Sequence, residues 1–246
     1  MNTLFLAWQS PTNRLWFPVG RLSSDKAKGG YMFEYIHGAL EAEKLAGFRP
    51  LPQFPEFERQ YVSDTLFPLF QNRVFNANRR DFTDYVRTLG LDPSHIDPME
   101  ILALTGGERQ TDSFEVFPKL LKEVDNSFTC RFFLHGLRHV SESAQARVPS
   151  LCVGDELRIC VELNNPATQL ALQLQTIDYL MIGWTPRYLV LDLLRATDRF
   201  PEVKAHVIRM NINSDTPMSR KVLIEMTGKL PANFEPMAGK QFQPIH

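Results

Sequence analysis

The stretch from Cys130 to Ala196 constrains the fold of this chain more than any other. It reads CRFFLHGLRHV, a polar connection, LCVGDELRICVELNNPATQLALQLQ and then YLMIGWTPRYLVLDLLRA. Short apolar runs alternate with turn residues: Asn164-Asn165-Pro166 follows one run, and Gly183 sits inside another. Leu157, Ile159, Val161 and Leu163 fall on one face of an extended chain, with Arg158, Cys160 and Glu162 on the other. A period of two marks a strand with one buried face. Just after Pro186, the pattern of Tyr188, Leu189, Leu191, Leu193 and Leu194 predicts a closing helix. Short strands, tight turns and one helix fit a small β-barrel better than a doubly wound sheet.

Beyond this unit, Val203 to Ile212 and Lys221 to Met226 alternate like paired strands across an Asn213-to-Pro217 turn, extending or bracing the barrel. Leu230 to His246 is rich in proline and polar residues and reads as a frayed tail.

The first half starts with extended runs at Leu4–Trp8 and Leu15–Leu22, separated by the Pro11-Thr12-Asn13 turn. A polar turn at Asp25–Gly30 leads into a third strand, on which Tyr31, Phe33 and Tyr35 alternate. Ala39–Ala46 is a short helix stopped by Gly47. Three prolines deny Phe48–Phe57 a helix or a central strand, which leaves an ordered coil. Ser63 and Asn78 are placed to cap the next two helices, and Gly90 to stop the second. Asp97-Pro98-Met99-Glu100 carries a cap, an N1 proline and an N3 carboxylate in their usual places. Thr105-Gly106-Gly107 ends that helix, and Phe114–Phe117 returns as a strand. The expected organisation is a compact α+β domain over residues 1–125, a mainly β, OB-like barrel over 126–230 and a tail over 231–246.

Charge places limits on partners. Residues 1–125 hold 14 lysines and arginines against 17 acidic residues; residues 126–246 hold 13 against 11. A dedicated duplex binder shows a plainly basic domain, so any nucleic-acid site is a local patch. Cys130, Cys152 and Cys160 are odd in number and lack C-x-x-C spacing, so they read as buried, inert and in a reducing, cytoplasmic setting. No segment approaches the ~20 apolar residues that span a bilayer.

Four blocks in the second half carry a resemblance: Gly136-Leu137-Arg138-His139, Val153-Gly154-Asp155, Asn164-Asn165-Pro166, and Ile182-Gly183-Trp184-Thr185-Pro186-Arg187. In order and spacing they resemble a HIRAN domain, over roughly a quarter of the chain. The resemblance implies an OB-like barrel that binds DNA, in fork-remodelling helicases at a single-stranded 3′ end. The best-studied members place an aromatic and an aspartate after the Asn-Pro of the turn; those positions are Ala167 and Thr168. The family's first aromatic after Gly-Leu-Arg aligns with His139.

A nucleic-acid site needs cations for phosphates and flat side chains for bases. The candidates are Arg138 and His139 in the turn, Arg187 after Pro186, and Trp184 or Tyr188 as stacking platforms, with Thr168 in the neighbouring turn. Arg131 and Arg147 are outer candidates. Against these roles, Trp184 also suits packing on the closing helix, and Arg187 suits a solvated helix start.

The first half is similar to another family. Val19-Gly20-x-Leu22, the Gly-x-Tyr-x-Phe-x-Tyr strand at 29–35 and Ser63-x-x-Leu66-Phe67-x-x-Phe70-x-Asn72-Arg73 resemble the N-terminal subdomain of HipA-type kinases. So do Asp81-x-x-x-Tyr85 and Leu102-Ala103-x-Thr105-Gly106-Gly107. In that family the subdomain, alone as a HipS-type protein, has no chemistry and restrains a kinase toxin. A HipA-type kinase or other protein partner follows as an implication, as does a toxin–antitoxin or phage-defence setting.

Nothing in the chain reads as catalytic. There is no Gly-rich loop with a strand lysine, no D-F-G, no G-x-x-x-x-G-K-[ST] and no G-x-S-x-G. His135 and His139 lie in a strand-to-turn segment, where they do not share a helical face as metal ligands do. No enzyme, cofactor or metal is expected. Two readings stand: a protein binding single-stranded DNA through its barrel, or a pure protein-binding regulator whose barrel is a scaffold.

Overall fold

Strand β1 (Asn2–Gln9) runs Leu4-Phe5-Leu6-Ala7 with both faces buried, as a continuous apolar run requires. The computed structural model describes every residue except 1, 26–28, 110, 197–201, 214 and 246. These form two units: Met1–Arg87, Leu91–Lys119 and Met237–His246 in the first, Thr88–Gly90 and Leu120–Pro236 in the second.

In the first unit β1 lies between β2 (Trp16–Asp25) and β5 (Phe114–Pro118). With β3 (Gly30–Tyr35) and β4 (Tyr61–Ser63) they make an antiparallel sheet of order β4-β3-β2-β1-β5. Helix α1 (His37–Ala46) sets Ala39 and Ala42 into the core beside Leu4, Leu6 and Val19. The proline-rich coil stays ordered because Tyr35 pins it. The Tyr35 hydroxyl donates to Phe54 O (2.8 Å) and accepts from Leu51 N (2.7 Å), while Phe54 stacks on Phe33 at 4.0 Å. The Asp25–Gly30 turn lies in part outside the described residues.

Two capping expectations are corrected. Ser63 ends β4 and its hydroxyl accepts from Thr65 N, while α2 (Pro68–Gln71) starts on Pro68. Asn78 sits in an irregular turn, bonded to Asn76, ahead of α3 (Phe82–Thr88). Asp97 does cap α4 (Pro98–Thr105), accepting from Met99 N at 2.9 Å.

The C-terminal residues are not a frayed tail. Phe242 sits 4.8 Å from Phe5 on the sheet, His37 N donates to Gln243 O, and Ile36 bridges Pro244. Residues 237–246 thereby join the first unit and cover apolar surface that would otherwise be wet. Residues 231–234 belong to the second unit, where Lys122 Nζ donates to the carbonyls of Pro231, Ala232 and Phe234.

The second unit holds β6 (Ser127–Phe133), α5 (Glu142–Arg147), β7 (Glu156–Asn165), β8 (Gln169–Gln175), β9 (Met181–Trp184), α6 (Val190–Ala196), β10 (Lys204–Met210) and β11 (Val222–Lys229). The strands form an antiparallel sheet of order β6-β11-β10-β7-β8-β9. His135, two residues past β6, bridges Trp184 of β9, so the two ends of the order are tied together. The pairing of β10 with β11 matches the expected braces; their connection includes residue 214, outside the described residues.

Three further expectations change. The polar connection after Val140 contains α5, because Ser141 caps it through Ala144 N. The apolar side of β7 is buried only at its start: Leu157 is 3% exposed, Val161 49% and Leu163 71%. Of the three cysteines, Cys152 is exposed and the other two are half-buried; the Cys130 thiol is pushed up to about 12, chiefly by burial.

Candidate nucleic-acid interface

Gly183 makes the site possible. A Cβ there would lie 2.4 Å from His135 O, so only glycine lets the chain leaving β6 come alongside β9. His135 and Trp184 then exchange two backbone hydrogen bonds of 3.0 Å. The same enclosure strips water from the His135 ring and lowers its pKa to about 4.

One residue further, Gly136 turns the chain with φ 74°, and its bare Cα rests against the Trp184 indole; a Cβ would meet Cε3 at 2.4 Å. Buried Leu137 anchors the following 3-10 turn, Leu137–His139, and leaves Arg138 and His139 exposed. Arg138 Nε donates to His139 Nε2 at 2.9 Å. Arg138 has no carboxylate partner among the described residues. The outer candidates differ. Arg131 lies 2.8 Å from Glu225, and Arg147 lies 3.2 Å from Asp178 while also holding Ser150.

Strand register puts Trp184 opposite Gln173, and Gln173 opposite Cys160. Opposed residues share a face, so Trp184, Gln173 and Cys160 point away from the core that buries Leu172, Leu174 and Ile182. The Trp184 Nε1–H donates to Glu162 Oε2 at 2.6 Å, and Asn165 Nδ2 donates to the same oxygen at 3.0 Å. The hydrogen bond from Asn165 is the largest influence on the Glu162 carboxyl, and burial, which opposes it, is the next. With the bonds from Trp184 and Gln173 the net effect holds it below its usual range. Trp184 therefore packs on the Gly136 turn and bonds Glu162.

Asn165 Oδ1 accepts from Ala167 N, Thr168 N and the Thr168 hydroxyl. Thr168 is exposed, but its hydroxyl is spent on the turn. Through Asn165 and Glu162 this turn connects to Trp184. Arg187 and Tyr188 occupy a 3-10 turn, Arg187–Leu189, at the entrance to α6, and both are half-buried. Burial, then Cys130, raises the Tyr188 phenol, with Arg187 opposing. Tyr188, expected as a stacking platform, is thus half-buried at the entrance to α6.

Two residues escaped the sequence reading. Tyr179, in the loop between β8 and β9, is 69% exposed with φ 65°. The Arg158 guanidinium lies 4.5 Å from the centre of its ring and has no carboxylate partner among the described residues. Arg158 pairs with Gln175, on the same outward face as Trp184. Its place on the polar side of β7 was visible, but the ring it meets comes from a loop.

Among the described residues no group of three or more His, Cys, Asp or Glu side chains is placed to hold a metal ion, and no helix is long and apolar enough to cross a membrane.

No protein-family model matches the chain, and no curated protein matches it. Among solved structures, a protein from Lactobacillus plantarum is similar at 15% identity and TM-score 0.32, over 42% of this chain and 98% of that one. The HIRAN domain of human HLTF is similar at 17% identity and TM-score 0.32, over 44% of this chain and 84% of that one.

Proposed function

We propose that the second unit is an OB-like barrel of HIRAN type that binds single-stranded DNA without acting on it chemically. The observation that carries this reading is the exposed Arg138–His139 turn seated against Trp184, its guanidinium unneutralised by any described carboxylate. Phosphates need such a cation, and unpaired bases need a ring or guanidinium plane beside it. The barrel reading draws support from the His135–Trp184 bridge, which joins the two ends of the strand order. In the same proposal the first unit is a HipS-like module that binds a protein partner of the HipA kinase class, in the cytoplasm and without a cofactor.

The second reading, a protein-binding regulator without DNA affinity, is favoured by one observation. The ionised Glu162 carboxylate lies directly under the Trp184 edge, where a phosphate would be repelled. Titration of labelled single-stranded oligonucleotides with free and blocked 3′ ends separates the two. Single strands bind in the micromolar range or weaker, and blocked and free ends bind alike, because the Thr168 hydroxyl is already bonded to Asn165. The absence of binding to every strand would remove the DNA reading and leave the regulator.

A further inference from the structure

We infer that the bound strand continues from the Arg138 turn across the outward face of β7, β8 and β9 to a second stacking position, the Tyr179 ring held on Arg158. The inference rests on the DNA binding proposed above and adds its path. Four observations support it.

First, the face is polar and continuous. Gln175 Nε2 donates to Gln173 Oε1 at 3.4 Å, Gln173 hydrogen-bonds Glu162, and Glu162 accepts from Trp184. This chain of two amides and a carboxylate runs from the Arg158 end of the face to the Trp184 end and offers hydrogen-bonding groups along its length.

Second, each end carries a ring. Trp184 and the Arg158–Tyr179 pair are two residues apart along β8 and two strands apart across it. Strand rise and spacing put them on the order of 12 Å from each other. A duplex buries its bases in the stack, whereas a single strand can lay them on separated platforms.

Third, each end has a cation: Arg138 in the turn after Gly136 and Arg158 on β7, neither with a carboxylate partner among the described residues. The Glu162 carboxylate between them is engaged by Trp184 and Asn165.

Fourth, the Tyr179 backbone is held in a conformation that a bulky side chain rarely adopts. Tyr179 N donates to Thr176 O and Thr176 N to Leu180 O, while the Thr176 hydroxyl accepts from Leu180 N. These bonds hold a loop that projects a large, exposed ring against the Arg158 guanidinium. An exposed aromatic in a strained backbone fits recognition better than core packing.

The test uses the full chain, a short labelled oligothymidine and an abasic strand of the same length. Tyr179→Asn keeps a residue that tolerates the left-handed backbone and removes the ring. It weakens oligothymidine binding about tenfold, the scale of one lost base–aromatic stack, and leaves abasic binding unchanged. Tyr179→Phe binds as wild type. Arg158→Glu weakens both strands. Wild-type affinity of Tyr179→Asn and Arg158→Glu for oligothymidine, with Arg138→Glu weakened, overturns the path and leaves DNA binding intact. A wild-type chain that binds neither strand overturns both.

Discussion

A methyl group on Gly136 would have nowhere to go, with the Trp184 ring 2.4 Å away and φ at 74°. Gly136→Ala is expected to cost at least the ~1–2 kcal/mol of a left-handed non-glycine residue, and to move the indole off its seat. Thermal denaturation reads the first effect, and lost affinity for single-stranded DNA reads the second. Arg138 and His139 were singled out through the resemblance of the Gly-Leu-Arg-His block, and the structure leaves both exposed beside buried Leu137. Arg158 and Tyr179 were not. Their contact depends on how far a loop reaches back over a neighbouring strand, which no local pattern encodes. For Tyr188, helical spacing says which face it shares, but not how deep the face lies, and the ring is half-buried.

Elements were read well where the signal is local and less well where it depends on neighbours. Asp97-Pro98-Met99-Glu100 holds its cap because the cap bonds only its own helix. Ser63 lost its capping role because the β3 edge recruits Tyr61–Ser63 as a strand. On β7 the alternation was right but its burial was not. The β10 pairing covers Glu156 and Leu157, and Val161 and Leu163 lie beyond it. The end of the chain makes the same point: proline-rich composition hides the Phe242 ring that packs on Phe5. Deleting residues 237–246 exposes Phe5 and removes buried Met237, each worth about 1.5–3 kcal/mol of burial. Loss of these groups lowers the thermal midpoint of the first unit, and a truncated chain that melts like the full one would contradict this packing.

At the scale of the molecule, two antiparallel sheets with their own cores were legible from alternating hydrophobicity and the spacing of turns. The small charge imbalance between the halves argues against a broad basic surface. What it leaves is a site of few cations, and that makes a quantitative claim. The measurement is the dependence of single-strand affinity on salt, in which each neutralised phosphate contributes a slope of about −0.7. With Arg138 and Arg158 as the phosphate contacts, log affinity against log salt should fall with a slope of about −1.4, and of about −0.7 in Arg138→Ala. A wild-type affinity that ignores salt, or a slope that Arg138→Ala leaves unchanged, would contradict the account.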